Sequence, residues 1–334
     1  MSEKTTRLSS AELGGLWKHY IQDTMSVCFL RYFLHHLQDE QLKVVIQKAL
    51  SYSETHLVQI REIFHFENIP IPVGFTTEDV DLSAPPLFHD PYALSFVYIM
   101  SRMEMISYSF TTSSVGREDV RTLFTQCLQH ANELYNDSTS LMISIGIYDR
   151  APMINYPRKI EFVQNESLLL GYIGKKRPLN ALELSEIFLN IERNYFATVF
   201  CLGLLQVVKD KEIKKYIQRG KDICDKQVKL FNELLMNEDL LGTVPITMEL
   251  TDSTTSPFSD KLIVGLFHAL NSLDITLIGH ALSMSMRADL AAHYSKLILE
   301  IILYGKEGFN IMVDRKWLEQ PPQATDRRDL IRSQ

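Results

Sequence analysis

The residue pair with the most recognisable chemistry in this chain is a glutamate and a histidine three positions apart, Glu62 and His65. Helical bundles that hold two metal ions take one Glu from each of two helices and a Glu-x-x-His pair from each of the other two. The second pair is missing, because the residue three positions before His130 is Cys127. Glu62 is also predicted to point away from the apolar face of its helix. The spacing therefore does not predict a complete dinuclear site.

A second set of polar residues falls near the middle of the predicted helices. Four successive helices contribute one member each: Asp23, His56, Glu104 and His130. Carboxylates and imidazoles suit a divalent metal ion, so these are the candidate metal ligands of the chain. Polar residues inside a long bundle also hydrogen-bond one another and fix the register of the helices. We favour this structural alternative, and the sequence predicts no catalytic residue and no cofactor.

The same motifs occur twice along the chain at a nearly constant spacing. Asp90 and Asp260 end matching motifs 170 positions apart, and Glu12 and Glu183 begin matching motifs 171 positions apart. One spacing over the whole chain predicts a tandem duplication of one fold unit. The counterparts of the four mid-helix polar residues in the second copy are Asn194, Gln227, Asp274 and Glu300. This second set is the poorer set of metal ligands.

Each copy is predicted to contain four long helices, because apolar residues recur at steps of three and four. Asp39 and Asp210 are the predicted N-caps of the second helices, and Asp90 and Asp260 those of the third helices. The short turn between the first two helices predicts antiparallel neighbours.

A connection of about 20 residues then precedes the third helix in each copy, at residues 68–90 and 238–260. Such a segment is long enough to cross the length of a bundle. Two antiparallel pairs joined by one crossover form the ferritin-like topology. The predicted fold class is therefore all-α, a tandem duplication of a ferritin-like four-helix bundle with long crossover loops. An up-down bundle with a decorated loop is the alternative.

The predicted domain organisation follows from these elements. Residues 1–150 form the first bundle and residues 180–315 the second. Residues 151–179 are a linker that we expect to pack on the bundles, because it carries apolar residues among its prolines and glycines. Residues 316–334 form a C-terminal strap, in which Trp317 and Leu318 predict docking on the protein.

Composition excludes several classes of protein. The net charge of −7 argues against a nucleic-acid binder. No apolar run reaches the roughly 18 residues of a membrane helix, and the first ten residues lack the apolar core of a secretory signal. The four cysteines contain no close pair, which fits reduced thiols. We therefore expect a cytosolic protein without a membrane span, with protein partners or self-association.

Two repeated arginines are candidates for anion binding. Arg117 and Arg287 each stand two residues before an aspartate near the start of a fourth helix. A phosphate site is one interpretation, and a salt bridge that ties the turn to a neighbouring helix is the favoured one.

Several segments together resemble domain-of-unknown-function family 3231. They are residues 177–183, 206–210, 219–221, 257–261, 287–290 and 317–322, the last followed by Asp326-Arg327. The resemblance covers nearly the whole chain. It implies a duplicated ferritin-like protein of endospore-forming bacteria, and single-unit relatives are similar to spore coat proteins. It supplies no catalytic residues. A ferritin-like metal-carboxylate protein, an oxidase or metal store with a degenerate site, is the alternative to a structural or interaction component of the spore.

Overall fold

The computed structural model describes residues 6–162, 177–240 and 250–332. These residues fold into eight long helices, a 3₁₀ turn at Thr77–Asp79 and a short terminal helix α9, Arg327–Arg332. The first unit contains α1 Ser10–His36, α2 Glu40–Phe66, α3 Asp90–Ser114 and α4 Glu118–Ser144. The second unit contains α5 Ala181–Val207, α6 Lys211–Met236, α7 Asp260–Met284 and α8 Ala288–Asp314.

The two units match helix for helix, which confirms the predicted duplication. Both α1 and α5 have 27 residues, and their first residues are 171 positions apart. Both α3 and α7 have 25 residues, with first residues 170 positions apart. The fold is all-α in the described residues, with two similar halves in tandem.

Each unit consists of two antiparallel helix pairs joined by a crossover loop. In the first unit, the backbone N–H groups of Gln38 and Asp39, just before α2, donate to Asp90 Oδ2 at 2.9 and 2.8 Å. The first turn of α3 therefore lies beside the first turn of α2, and these two helices run parallel. Residues 67–89 must then cross the length of the bundle, as the long connection predicted.

The helix caps agree with the predictions in one pair and contradict them in the other. Asp39 Oδ1 accepts from the N–H groups of Gln41 and Leu42, and Asp210 caps α6 in the same way. The predicted caps Asp90 and Asp260 are wrong, because both are the first residues inside their helices. The caps are His89, whose side chain makes no capping bond, and Ser259, whose side chain accepts from Leu262 N–H.

The two crossover loops pair with each other in a reciprocal way. Isolated antiparallel bridges join Val80 to Phe258 and Phe88 to Leu250. Val80 and Leu250 are equivalent positions of the two units, 170 residues apart, and so are Phe88 and Phe258. The two bridges are therefore the same contact made in both directions. A pseudo-twofold axis therefore relates the two units, and each loop lies against the opposite unit.

Aromatic packing follows the same symmetry. Phe258 lies 4.6 Å from Phe29 between ring centroids, and Phe88 lies 5.8 Å from Phe200. All four rings are at least nine-tenths buried. One apolar core continues through both units at this junction, and a smaller cluster fills the far end of the second bundle.

The linker packs on the bundles at one described end only. Its first part carries four strongly exposed apolar side chains, at 84–93 % of full exposure: Met153, Tyr156, Ile160 and Phe162. Leu179, at its other end, is buried in the second bundle. The leucines at 168–170 lie outside the described residues, so the expectation for them stays a prediction.

The C-terminal strap is docked through Trp317, Leu318 and Glu319. Trp317 and Leu318 are half-buried against the core. The Glu319 carboxylate accepts the backbone N–H groups of Val73 and Gly74, at 2.8 and 2.6 Å. The strap of the second unit thus holds the crossover loop of the first.

Truncation after Arg315 is therefore expected to lower the melting temperature by several degrees, because it removes apolar burial and two charge-assisted hydrogen bonds. Differential scanning calorimetry measures the change. Truncation after Pro322 is the matched control and should leave the melting temperature unchanged, because residues 320–328 are exposed. Equal melting temperatures for both truncated proteins would contradict the docking.

Among the described helices, α7 is long and apolar enough to cross a membrane by length and composition. Its first turns are buried in the second bundle, and the rest of the helix is half-buried. It packs mainly against α8 and α5. In the structure, α7 is thus a helix of the second bundle. The described chain shows no clear membrane span.

Candidate functional site: the polar centre of the first bundle

The first bundle has a polar centre to which all four of its helices contribute. α1 supplies Asp23, α2 supplies His56, α3 supplies Glu104 and α4 supplies His130. Asp23 and His56 are 2 % and 4 % exposed, whereas Glu104 and His130 are partly buried. The positions agree with the heptad spacing of the sequence, which placed one polar residue per helix at this level.

Direct contacts link three of these residues in a row. His56 Nε2 lies 2.9 Å from His130 Nδ1, and the two rings are stacked with their centroids 5.1 Å apart. On its other side, His56 Nδ1 lies 3.6 Å from Asp23 Oδ1. That distance is too long for a hydrogen bond, and both His56 Nδ1 and Asp23 Oδ2 are buried without a hydrogen-bond partner. The centre is thus a partly satisfied polar cluster.

The carboxylates of this centre repel each other. Burial, and then the charge of Asp23, raise the pKa of Glu104 to about 8. Burial, and then the neighbouring His56, lower the pKa of His130. A protonated Glu104 and a neutral His130 at neutral pH avoid placing several charges in an apolar bundle.

The arrangement does not fit a bound metal ion. In the ranges that the structure describes, no group of three or more His, Cys, Asp or Glu residues is placed to hold one. His56 Nε2 and His130 Nδ1 share a hydrogen bond, so these two nitrogens are already occupied. Glu62 and His65 of the Glu-x-x-His pair are exposed on the outside of α2.

The second bundle replaces this centre with a neutral amide pair and two ion pairs. Asn194 Nδ2 donates to Gln227 Oε1 at 3.1 Å, inside the bundle. Asp274 forms an ion pair with Arg193 at 2.6 Å, and Glu300 turns outward to Lys226. Two of the four counterparts, Asn194 and Gln227, therefore meet in the second unit, whereas Asp274 and Glu300 pair with other residues.

Sequence reasoning missed several neighbours of the polar centre. His19 is buried one turn before Asp23, and its Nε2 lies 2.9 Å from Thr111 Oγ1. Tyr52 stacks on His130 at 3.7 Å. The step of four residues from His19 to Asp23 places both on one helix face, and this spacing was the available signal.

The repeated arginines are structural, as favoured from the sequence. Arg117 forms ion pairs with Glu67 at the end of α2 and with Asp119, and Arg287 does the same with Glu238 and Asp289. Two carboxylates hold each guanidinium group, so this geometry does not provide a phosphate site.

The repeated glutamates complete these clusters. Glu12 accepts backbone N–H groups of Ser9, Gly116 and Arg117, at 2.6 to 3.1 Å. Burial alone would raise the pKa of Glu12, but these hydrogen bonds lower it from an ordinary 4.5 to about 2. Its contribution to stability is complete above pH 4.5 and is lost as the pH falls towards 2.

Comparison with known proteins agrees with the duplication. No curated protein matches the chain. A solved structure of a candidate spore coat protein from Bacillus halodurans is 19 % identical; the match covers 45 % of this chain and 98 % of that one, with a TM-score of 0.41. The family described as "Protein of unknown function (DUF3231)" matches residues 1–160 and again residues 167–330. The chain therefore belongs to this family and carries its domain twice.

Proposed function

We propose that the chain is a non-enzymatic helical-bundle protein, a structural or interaction component of the sporulating cell or the spore coat. The observation that supports this most is the state of the polar centre. Asp23 and His56 are buried, and His56 pairs with His130 instead of facing a cleft that a substrate could enter. Membership of the family supports the sporulation context, because the sequence resemblance to this family implies a protein of endospore-forming bacteria.

Two further features support an interaction role. The reciprocal crossover loops join both bundles through one continuous core, which gives a stiff body of eight long helices. The exposed linker, with Tyr156 and Phe162 free of the bundles, offers apolar side chains to a protein partner. A cytosolic place of synthesis followed by association with the spore fits this role.

The alternative is a ferritin-like metal-carboxylate protein, an oxidase or a metal store, with a degenerate site. It draws on the convergence of Asp23, His56, Glu104 and His130 in one bundle. It would require His56 and His130 to break their mutual hydrogen bond and turn towards an ion.

The double variant Asp23→Asn, His56→Gln separates these functions, because it gives the first unit the amide pair that the second unit already uses. We expect it to fold with a free energy of unfolding within about 1 kcal/mol of the parent, since two buried polar atoms without partners are replaced by amides that can bond to each other, as Asn194 and Gln227 do. In a sporulating host, a fluorescent fusion of the variant should localise and fractionate with spore coat extracts as the parent does. Loss of a metal-dependent or catalytic phenotype with retained folding would contradict the proposed function.

A further inference from the structure

The second bundle contains an apolar cavity at the level where the first bundle holds its polar centre. The cavity has a volume of about 80 Å³ and is lined by four helices of the second unit together with α3 of the first. Most of its lining is apolar and includes Phe196 and Ile301. The Asn194–Gln227 amide pair forms a polar part of the lining. No side chain of the described chain fills this space.

The repeat changes one lining position of the cavity. Gln227 lines the cavity and stands where the first unit has the His56 ring. A flexible amide side chain thus replaces a ring in the wall of the second bundle.

A second cavity of about 220 Å³ adjoins the first, between α3, α5 and α7. Ile99, Met103 and Arg193 line both cavities, so the two spaces meet at these residues. Arg102 also lines the second cavity. Its side chain is 17 % exposed, and its Nε–H group is buried without an acceptor. A buried guanidinium donor without a partner is costly, and a ligand oxygen at this place would satisfy it.

The charges around the second cavity select the ligand head group. Arg102 is paired with Glu192 and Arg193 with Asp274, and Glu186 adds a third carboxylate near His280. An anionic head would meet three carboxylates and two guanidinium groups. A cationic head has no lone pair to accept from Arg102. A neutral oxygen acceptor fits both conditions.

We propose that these adjoining cavities bind a neutral amphiphile of medium chain length, with its apolar tail in the second bundle and a hydroxyl or carbonyl oxygen at Arg102. Both spaces are smaller than those that hold drug-sized ligands. The binding is separate from the proposed structural role, because no described residue of the linker lines either cavity.

Calorimetric titration with 1-octanol, octanoate and octylamine tests the head group. We expect 1-octanol to bind with a negative heat-capacity change, and the two charged analogues to bind about tenfold more weakly or worse, the order of penalty for a mismatched polar group. Absence of 1-octanol binding would overturn the proposal, and equal affinity for octanoate or octylamine would overturn its neutral head group.

Two further measurements locate the bound molecule. Ala197→Leu fills the first cavity and should abolish 1-octanol binding, whereas Ser26→Leu, at the equivalent position of the first unit, should not. Without any variant, methyl NMR signals of Met100 and Met103, which line the cavity, should shift on adding 1-octanol, and that of Met142 in the first bundle should not. Shifts confined to Met142, or spread equally over all three, would contradict this location.

Discussion

Replacing Arg287 with alanine is expected to lower the free energy of unfolding by about 3–5 kcal/mol, the usual cost of removing one partner from a buried ion cluster. The Arg287 side chain is 4 % exposed and is held by Glu238 and Asp289. Its loss leaves two largely buried carboxylates without their cation, next to Glu183, which is also buried. The cluster joins the turn before α8 to the ends of α5 and α6, so that end of the bundle should loosen.

Urea denaturation with circular dichroism measures this change. Arg219→Ala is the matched control, because Arg219 pairs with Glu307 on the surface and exposed pairs contribute about 0–1 kcal/mol. By the pseudo-twofold symmetry, Arg117→Ala should resemble Arg287→Ala. A loss below about 1 kcal/mol for both arginines would mean that the clusters do not hold the bundle ends.

The second large effect is expected at the junction of the two units. Phe258→Ala should cost about 3–5 kcal/mol, the usual range for a buried phenylalanine. The Phe258 ring is 4 % exposed and contacts Phe29 and Tyr32 of the opposite unit, with centroids 4.6 and 4.9 Å away. Removing the Phe258 ring opens a cavity in the core that both units share. The protein should therefore still unfold in a single cooperative transition, but at a lower temperature.

Calorimetry of this variant distinguishes a shared core from two independent bundles. Phe88→Ala, the symmetry-related change, should have a similar effect, and Phe110→Ala, at a residue 62 % exposed, should have little. Separation of the melting curve into two transitions in the parent protein would contradict the shared core.

Two features of the sequence made the fold predictable: the repeat of one unit, and apolar residues that recur at steps of three and four. The offset of 170 to 171 predicted eight matching helices, and Asp39 and Asp210 predicted two of their starts. Asp90 was misplaced by one position because an aspartate before a proline has the chemistry of a cap. The structure uses its carboxylate for the α1–α2 turn instead. A long-range partner of that kind leaves no local signal.

The candidate site was predictable by position, since periodicity alone put Asp23, His56, Glu104 and His130 at one level. Its internal pairing was not, because the rotation of each helix decides whether His56 turns to His130 or to Asp23. The pairing of the two crossover loops was likewise hidden, since it depends on how the units are arranged in space.

The proposed structural role of the polar centre is tested most directly by elemental analysis of the full chain purified without chelators. We expect iron, manganese and zinc each to remain well below one ion per chain, for the parent and for the Asp23→Asn, His56→Gln variant alike, because His56 and His130 bond to each other. Close to one ion per chain in the parent, lost in the double variant, would contradict the claim and assign Asp23 and His56 to a metal site.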